Sequence, residues 1–268
     1  SLKPGWNKYL KAIILAAGTG SRLNSLTKNN PKCLVSLFGK TILEWQLEAF
    51  QKCGITDITV VRGYKGEMIN FKNLNYFDNP NFASTNMVET LFCAKEKFCD
   101  SVIVSYGDII FQSTVLKKLI NSVYDTSIVI DNHWKTYWEK RFENPLDDAE
   151  SLSIDESDNI SSIGQKISNI DEICGQYIGL MKFQGNAIND LLSIYDNLNE
   201  KYLRQNQISD FKNWYMTDFL QYFIKSGFKI KPIRIDGGWL ELDTIEDYEL
   251  YNELYTNNTL TDFIDLKL

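Results

Sequence analysis

Apolar residues follow two spacings along the chain. Short runs of consecutive apolar positions alternate with stretches in which they recur every three or four residues, the patterns of buried strands and amphipathic helices. Strands are expected at 11–17, 57–61, 101–106 and 127–131, and helices at 41–53, 86–98 and 113–122. In 41–53, Ile42, Trp45, Ala49, Phe50 and Cys53 share one face; Thr41 and Glu44 have capping-box spacing, and Gly54 supplies a left-handed stop. A Ser- and Asp-rich stretch, 144–159, reads as a loop excursion. Beyond it, strands near Ile160 and at 176–183, 229–235 and 239–242, with helices at 187–198, 210–226 and 244–255, read as an extension of the same sheet. Strands separated by helices of this length specify an α/β fold: a mostly parallel, mixed sheet, helices on both faces, and ligands at the strands' carboxyl ends.

Composition narrows the function. Hydrophobic residues make 44% and charged residues 24% of 268, an ordinary globular balance. The longest apolar run, Ala12 to Ala17, falls far short of the ~20 residues of a membrane span. With 28 Lys and Arg against 35 Asp and Glu, the net charge of −7 repels nucleic acid and anionic lipid, so neither is an expected partner. Five scattered cysteines without a CxxC pair, and one histidine, His133, disfavour zinc, disulfides and histidine acid–base chemistry. The cysteines read as small buried hydrophobes in a reducing compartment. The opening Ser1-Leu2-Lys3-Pro4-Gly5-Trp6 has no apolar core of a targeting signal, which makes a cytoplasmic location the expectation.

The strand at 11–17, ending in Leu15-Ala16-Ala17, runs into Gly18-Thr19-Gly20-Ser21-Arg22-Leu23, and Asn30-Pro31-Lys32 follows. Glycines allow close backbone approach to phosphate, and Arg22 and Lys32 add cations against the global field. Leu23 stands where a dinucleotide fold needs its third glycine, and no GKS or GKT follows, which removes dehydrogenases and P-loop NTPases. By itself this is equally a glycine turn flanked by surface cations.

Taken with Pro31-Lys32, the run from Lys11 to Leu23 resembles the signature of the nucleotidyltransferases that make sugar nucleotides and CDP-alcohols. The resemblance implies a Rossmann-like, GT-A-like fold and transfer of a nucleoside monophosphate from an NTP to a substrate phosphate, with loss of pyrophosphate. It implies one domain, 1–268, with a nucleotide-binding half (11–130), an acceptor-binding half (131–243) and a C-terminal helix and tail (244–268). Nucleotide contacts then fall on Leu15, Ala16, Ala17, Gly18, Thr19, Gly20, Ser21, Arg22 and Lys32, with Arg22 over the pyrophosphate and Lys32 at the α-phosphate. Asp108, after the strand at 101–106, and Asp243, before the last helix, match the family's two ligands for Mg²⁺, a cation that takes hard oxygens. Arg22, Lys32 and Asp108 are the expected catalytic set. Asp243 with Glu246 also has helix-capping spacing, and Asp108 also suits a turn.

Asn81-Phe82-Ala83-Ser84-Thr85-Asn86-Met87 resembles the bacterial phosphocholine and phosphonate cytidylyltransferases, which places Ser84, Thr85 and Asn86 beside base and ribose of CTP. Asn86 with Glu89 is equally a helix cap. Segments around Arg141 to Pro145, Asp147 to Glu150, Ile163 to Lys166 and Gly175 to Leu180 extend that similarity along nearly the whole chain. Gln176 departs from the glutamate of the family's GE-x-IG pattern, pointing to a different polar headgroup. Acceptor candidates are Asp131, Trp134, Trp138, Lys166, Gln176, Tyr177, Trp239 and Glu241, in which aromatic faces beside acids suit an amine or choline head; the same aromatics also suit a core. The expected reaction is CMP transfer to a small phosphate, phosphonate or phosphoramidate acceptor. A sugar-1-phosphate enzyme using UTP or dTTP, and a non-catalytic nucleotide sensor, stay open beside it. A homodimer is the commonest option for a soluble enzyme in general.

Overall fold

β1 (Leu10–Ala16) shows how the sheet is built: Ala12, Ile14 and Ala16 face one core cluster while Ile13 and Leu15 face another, the two-residue period of a strand buried on both sides. The computed structural model describes residues 10–167 and 169–267, and the opening residues 1–6, where no targeting signal is expected, lie outside them. After β1 come a ribbon of β2 (Ser36–Leu37) and β3 (Lys40–Thr41), then α1 (Ile42–Lys52), β4 (Asp57–Arg62), β5 (Asn75–Asp78) and α2 (Met87–Phe92). β6 (Ser101–Tyr106), β7 (Ile109–Phe111), α3 (Ser113–Ile120), β8 (Thr126–Asp131) and α4 (Trp134–Arg141) follow. The rest comprises β9 (Leu152–Ile154), β10 (Ile160–Ile163), β11 (Gln176–Gln184), α5 (Asn186–Arg204), α6 (Ile208–Lys212), α7 (Met216–Lys225), β12 (Lys231–Ile235), β13 (Trp239–Glu241) and α8 (Ile245–Thr256).

Seven strands form the central sheet in the order β12-β8-β11-β6-β1-β4-β5. β1 pairs in parallel with β4 and β6, while β11 runs antiparallel to both β6 and β8. The expected mostly parallel mixed sheet is therefore present, flanked by helices.

Four expected elements are corrected. The strands near Ile160 and at 239–242 do not extend the sheet: β10 pairs with β9, inside and beside the excursion, and β13 pairs with β7. The helix expected at 210–226 is two, α6 and α7, because the chain turns at Asn213 to Tyr215, where the Tyr215 amide is capped by Asp218 at 2.8 Å. The helix expected at 86–98 ends at Phe92, and Lys95–Lys97 winds as a 3-10 turn. The capping box of Thr41 and Glu44 is present at the start of α1. Of the cysteines expected to be buried, Cys33 and Cys53 are, Cys93 and Cys99 are half-buried, and Cys174 is exposed. No helix among the described residues is long and apolar enough to cross a membrane.

Candidate active site

At the carboxyl end of β1 the chain opens into a cleft of about 260 Å³, lined by the segment from Leu15 to Arg22 together with Lys32, Asp108 and Asp243. Gly20 has φ +62°, and a Cβ there would lie 3.0 Å from Thr27 and 3.1 Å from Lys32, so only glycine lets the turn close onto both. Thr27 Oγ1 fastens it by donating to the Gly20 carbonyl at 2.7 Å.

Across from this turn stands Asp108, in the β6–β7 connection. Gly107 precedes it because a Cβ at that position would come within 2.5 Å of the Leu15 carbonyl oxygen. Buried Gln46 of α1 stitches the connection, donating to the Tyr106 and Ile109 carbonyls at 2.7 and 2.8 Å while accepting from Ser105 at 2.9 Å. Asp243 arrives from far along the chain. Pairing of β13 with β7 and a bond from the Leu242 amide to the Asp108 carbonyl, 2.9 Å, bring the two acids side by side.

Lys32 Nζ donates to Asp108 Oδ2 at 2.7 Å and to Asp243 Oδ1 at 2.8 Å, and Arg22 pairs with the other oxygen of Asp243. Burial opposes ionisation of both partners, yet the charges prevail: Asp108 and Asp243 hold the Lys32 ammonium above its ordinary range, and Lys32 and then Arg22 hold the Asp243 carboxyl below its own. Asp108 Oδ1 is buried without a hydrogen-bond partner among the described residues, a hard oxygen left unsatisfied. No set of three or more His, Cys, Asp or Glu gathers as a metal cage among the described residues. Two carboxylates with a free oxygen instead fit a cation that completes its shell with substrate phosphates and water, as magnesium does. Burial pushes the Cys33 thiol, which lines the cleft, up to about 12, a shift that disfavours the thiolate.

The alternative reading of Asp243 as a cap is overturned. Thr244 is the N-cap of α8, and its box partner is Asp247. Asn86 caps α2, accepting from the Met87 amide at 2.8 Å, and it lines the cleft beside Thr85. Ser84 is exposed and does not line it.

The acceptor candidates fare differently. Asp131 is buried and its carboxylate is consumed by the amides of His133 and Gly237 and by Trp239 Nε1, at 2.9, 3.1 and 2.8 Å. Trp134, Trp138 and Trp239 are core, packed with Tyr137 at ring separations of 5.4 to 6.1 Å, and form no cage open to a ligand. Gln176 is spent on the Glu150 backbone, accepting at 3.1 Å and donating at 2.6 Å. Glu241 is ion-paired to Arg141 at 2.8 Å. Tyr177, partly exposed, sets its ring edge-on to Tyr106, and Lys166 is exposed.

Sequence reasoning missed Phe82, Met87, Thr90 and Gly107, which line the cleft, and Asn79, whose buried amide donates to Thr85 and Thr90 at 3.0 Å each. An Asn two residues ahead of Asn81 in a polar turn carried a signal; the others did not.

The MobA-like NTP transferase domain matches residues 12–150. CTP:phosphoglutamine cytidylyltransferase of Campylobacter jejuni is 40% identical over 255 residues, covering 91% of this chain and all of that one. Choline-phosphate cytidylyltransferase of Streptococcus pneumoniae is 34% identical over 119 residues, 43% of this chain and 52% of that protein. The solved CTP:phosphocholine cytidylyltransferase from Streptococcus pneumoniae shares the fold with a TM-score of 0.71 at 22% identity, over 92% of this chain and 99% of that one. The chain thus belongs to the MobA-like NTP transferase family and is a nucleotidyltransferase.

Proposed function

We propose that this enzyme transfers CMP from CTP to a small phosphate, phosphonate or phosphoramidate acceptor, phosphoglutamine first among them, with release of pyrophosphate. The observation that carries the reading is the convergence of Asp108, Asp243, Lys32 and Arg22 on one cleft beside the glycine turn. The choice of CTP and phosphoglutamine rests on the likeness, over 91% of this chain, to the Campylobacter jejuni enzyme.

In this reading residues 11–130 carry the nucleotide, with the triphosphate along the Gly18 to Arg22 turn and the base side against Thr85 and Asn86. Asp108 and Asp243 hold Mg²⁺, which when bound neutralises charge on the triphosphate oxygens. Arg22 covers the leaving pyrophosphate. Lys32 exchanges its carboxylate partners for the α-phosphate, where a positive charge is worth most in a water-poor site. An acceptor oxygen forms the new bond to the α-phosphorus as the bond to the bridging oxygen breaks, and the electron pair leaves with pyrophosphate. No general base is required: a phosphate monoester with a second pKa of about 6 is already largely dianionic at neutral pH. Catalysis is then alignment and charge stabilisation.

A pyrophosphate-release screen of four NTPs with magnesium, against phosphoglutamine, phosphocholine, 2-aminoethylphosphonate and hexose 1-phosphates, tests the proposal. CTP with phosphoglutamine is expected to give the highest kcat/KM. Turnover only with UTP or dTTP and a hexose phosphate would assign a sugar-nucleotide enzyme instead.

A further inference from the structure

Behind Asp243, away from the cleft, lies an ion-paired network that the proposed chemistry does not use. Arg141, the last residue of α4, has a fully buried guanidinium, 0% exposed, walled by the rings of Tyr137, Trp138 and Phe142 at 5.3, 5.2 and 5.0 Å. Its Nε and Nη2 donate to the two oxygens of Asp247 and its Nη1 to Glu241, all at 2.8 Å. Asp247, in the first turn of α8, passes the constraint on: its Oδ2 accepts from the backbone amides of Asp243 at 3.0 Å and Thr244 at 3.1 Å. Tyr137 accepts from the Glu241 amide at 3.0 Å, and Tyr251 donates to the Glu241 carbonyl at 2.6 Å, so the backbone on both sides of Leu242 is held.

A buried arginine is costly unless every donor finds a partner, and a simple helix cap needs only Thr244 and Asp247. The bidentate fork adds something a cap does not require. It fixes the carboxylate plane of Asp247, and through it the amide from which the Asp243 side chain projects.

We propose that Arg141 and Asp247 are positioning residues for Asp243, forming a relay from α4 through α8 that sets the direction of its carboxylate and hence its grip on a divalent cation. This rests on the functional reading above. Neither residue touches substrate; both act through the Asp243 backbone.

The test uses Mn²⁺ as the probe, its binding to the full chain with CTP followed by the electron paramagnetic resonance of the free ion. Arg141→Lys keeps the charge but loses the fork. Asp247→Asn is close to isosteric and carries the test where Arg141→Lys does not melt cooperatively. Each is expected to weaken Mn²⁺ binding and lower kcat by about 10- to 100-fold, as loss of a ligand's supporting partner does elsewhere, with KM for the acceptor unmoved. Amide exchange across residues 240–248 should accelerate. Thr244→Val, which removes the cap hydroxyl but leaves the Asp247 carboxylate in place, should lower Tm and keep Mn²⁺ affinity. Folded relay variants that bind Mn²⁺ and turn over like the wild type would overturn the relay, as would Thr244→Val weakening Mn²⁺ binding as much as they do. A wild-type chain without CTP-dependent Mn²⁺ binding or turnover would overturn the functional reading itself, which keeps the two failures apart.

Discussion

Lys32 is the residue on which the cleft turns. Its ammonium lies within 2.8 Å of carboxylates 76 and 211 positions away, and it stays charged because their attraction exceeds the cost of burial. In the proposed reaction Lys32 leaves these carboxylates for the α-phosphate, and Asp108, whose other oxygen has no hydrogen-bond partner among the described residues, is then free to hold the cation. Lys32→Ala and Asp108→Ala are each expected to lower kcat by about 10²- to 10³-fold, the scale of losing one preorganised electrostatic contact, with the far-ultraviolet circular dichroism unchanged. Wild-type pyrophosphate release from either purified, folded variant would remove these residues from catalysis. Both were legible in the sequence because the glycine turn, Pro31-Lys32 and Gly107-Asp108 are local patterns whose chemistry does not depend on what packs around them. Asp131 and the tryptophans were misread for the converse reason. An acid among aromatics looks the same in sequence whether it faces a ligand or, as here, satisfies Trp239 Nε1 and two backbone amides inside a core. Arg141 was noted only as part of a matching segment, since its partners, Glu241 and Asp247, lie 100 and 106 positions away.

At the scale of elements, the start of α1 was legible and the break between α6 and α7 was not. Thr41 and Glu44 start α1 as their spacing requires, whereas α6 and α7 were merged because tyrosine, the residue preceding α7, is no usual helix cap. One helix end is completed by a strand. Lys182 of β11 is buried and donates to the carbonyls of Ile120 and Ser122, 2.9 and 2.8 Å away, at the carboxyl end of α3, where partial negative charge gathers. Burial nevertheless pushes its ammonium down to about 8 from 10.5. The unfolded chain therefore binds more protons between those values, and stability from this group grows as pH rises through that window and is lost as pH falls through about 8. Lys182→Met, which cannot titrate, should remove that slope: urea midpoints of the wild type relative to the variant should climb from pH 8 to pH 10. Parallel curves for the two proteins would show that Lys182 titrates normally in the fold.

Over the whole molecule, the site is a product of topology. β11 returns antiparallel between β8 and β6, inserting a late segment into an early sheet, and β13 reaches back to β7 to set Asp243 beside Asp108. No local signal specifies such pairings, because β9, β10 and β13 are only three or four residues long and carry too little pattern to choose a partner; this is why β10 and β13 were placed in the wrong sheet. The nucleotide side is likewise tied to distant helices. Glu89 of α2 accepts from Lys212 of α6 and Tyr195 of α5 at 2.6 Å, and the Asn86 amide donates to the Lys212 carbonyl at 2.9 Å. A ligand that joins the glycine turn, the two acids and the Asn86 segment thus braces elements from both ends of the chain. CTP with magnesium at a concentration about a hundredfold above its Kd should add about 2.7 kcal/mol to the folded state. For a chain of this size that is a rise in Tm of roughly 5–10 °C, read by differential scanning fluorimetry. Asp108→Ala should melt cooperatively and lose most of the rise. A full shift in that variant would mean that the nucleotide is held without the paired acids, and that the cleft binds but does not assemble a metal-dependent site.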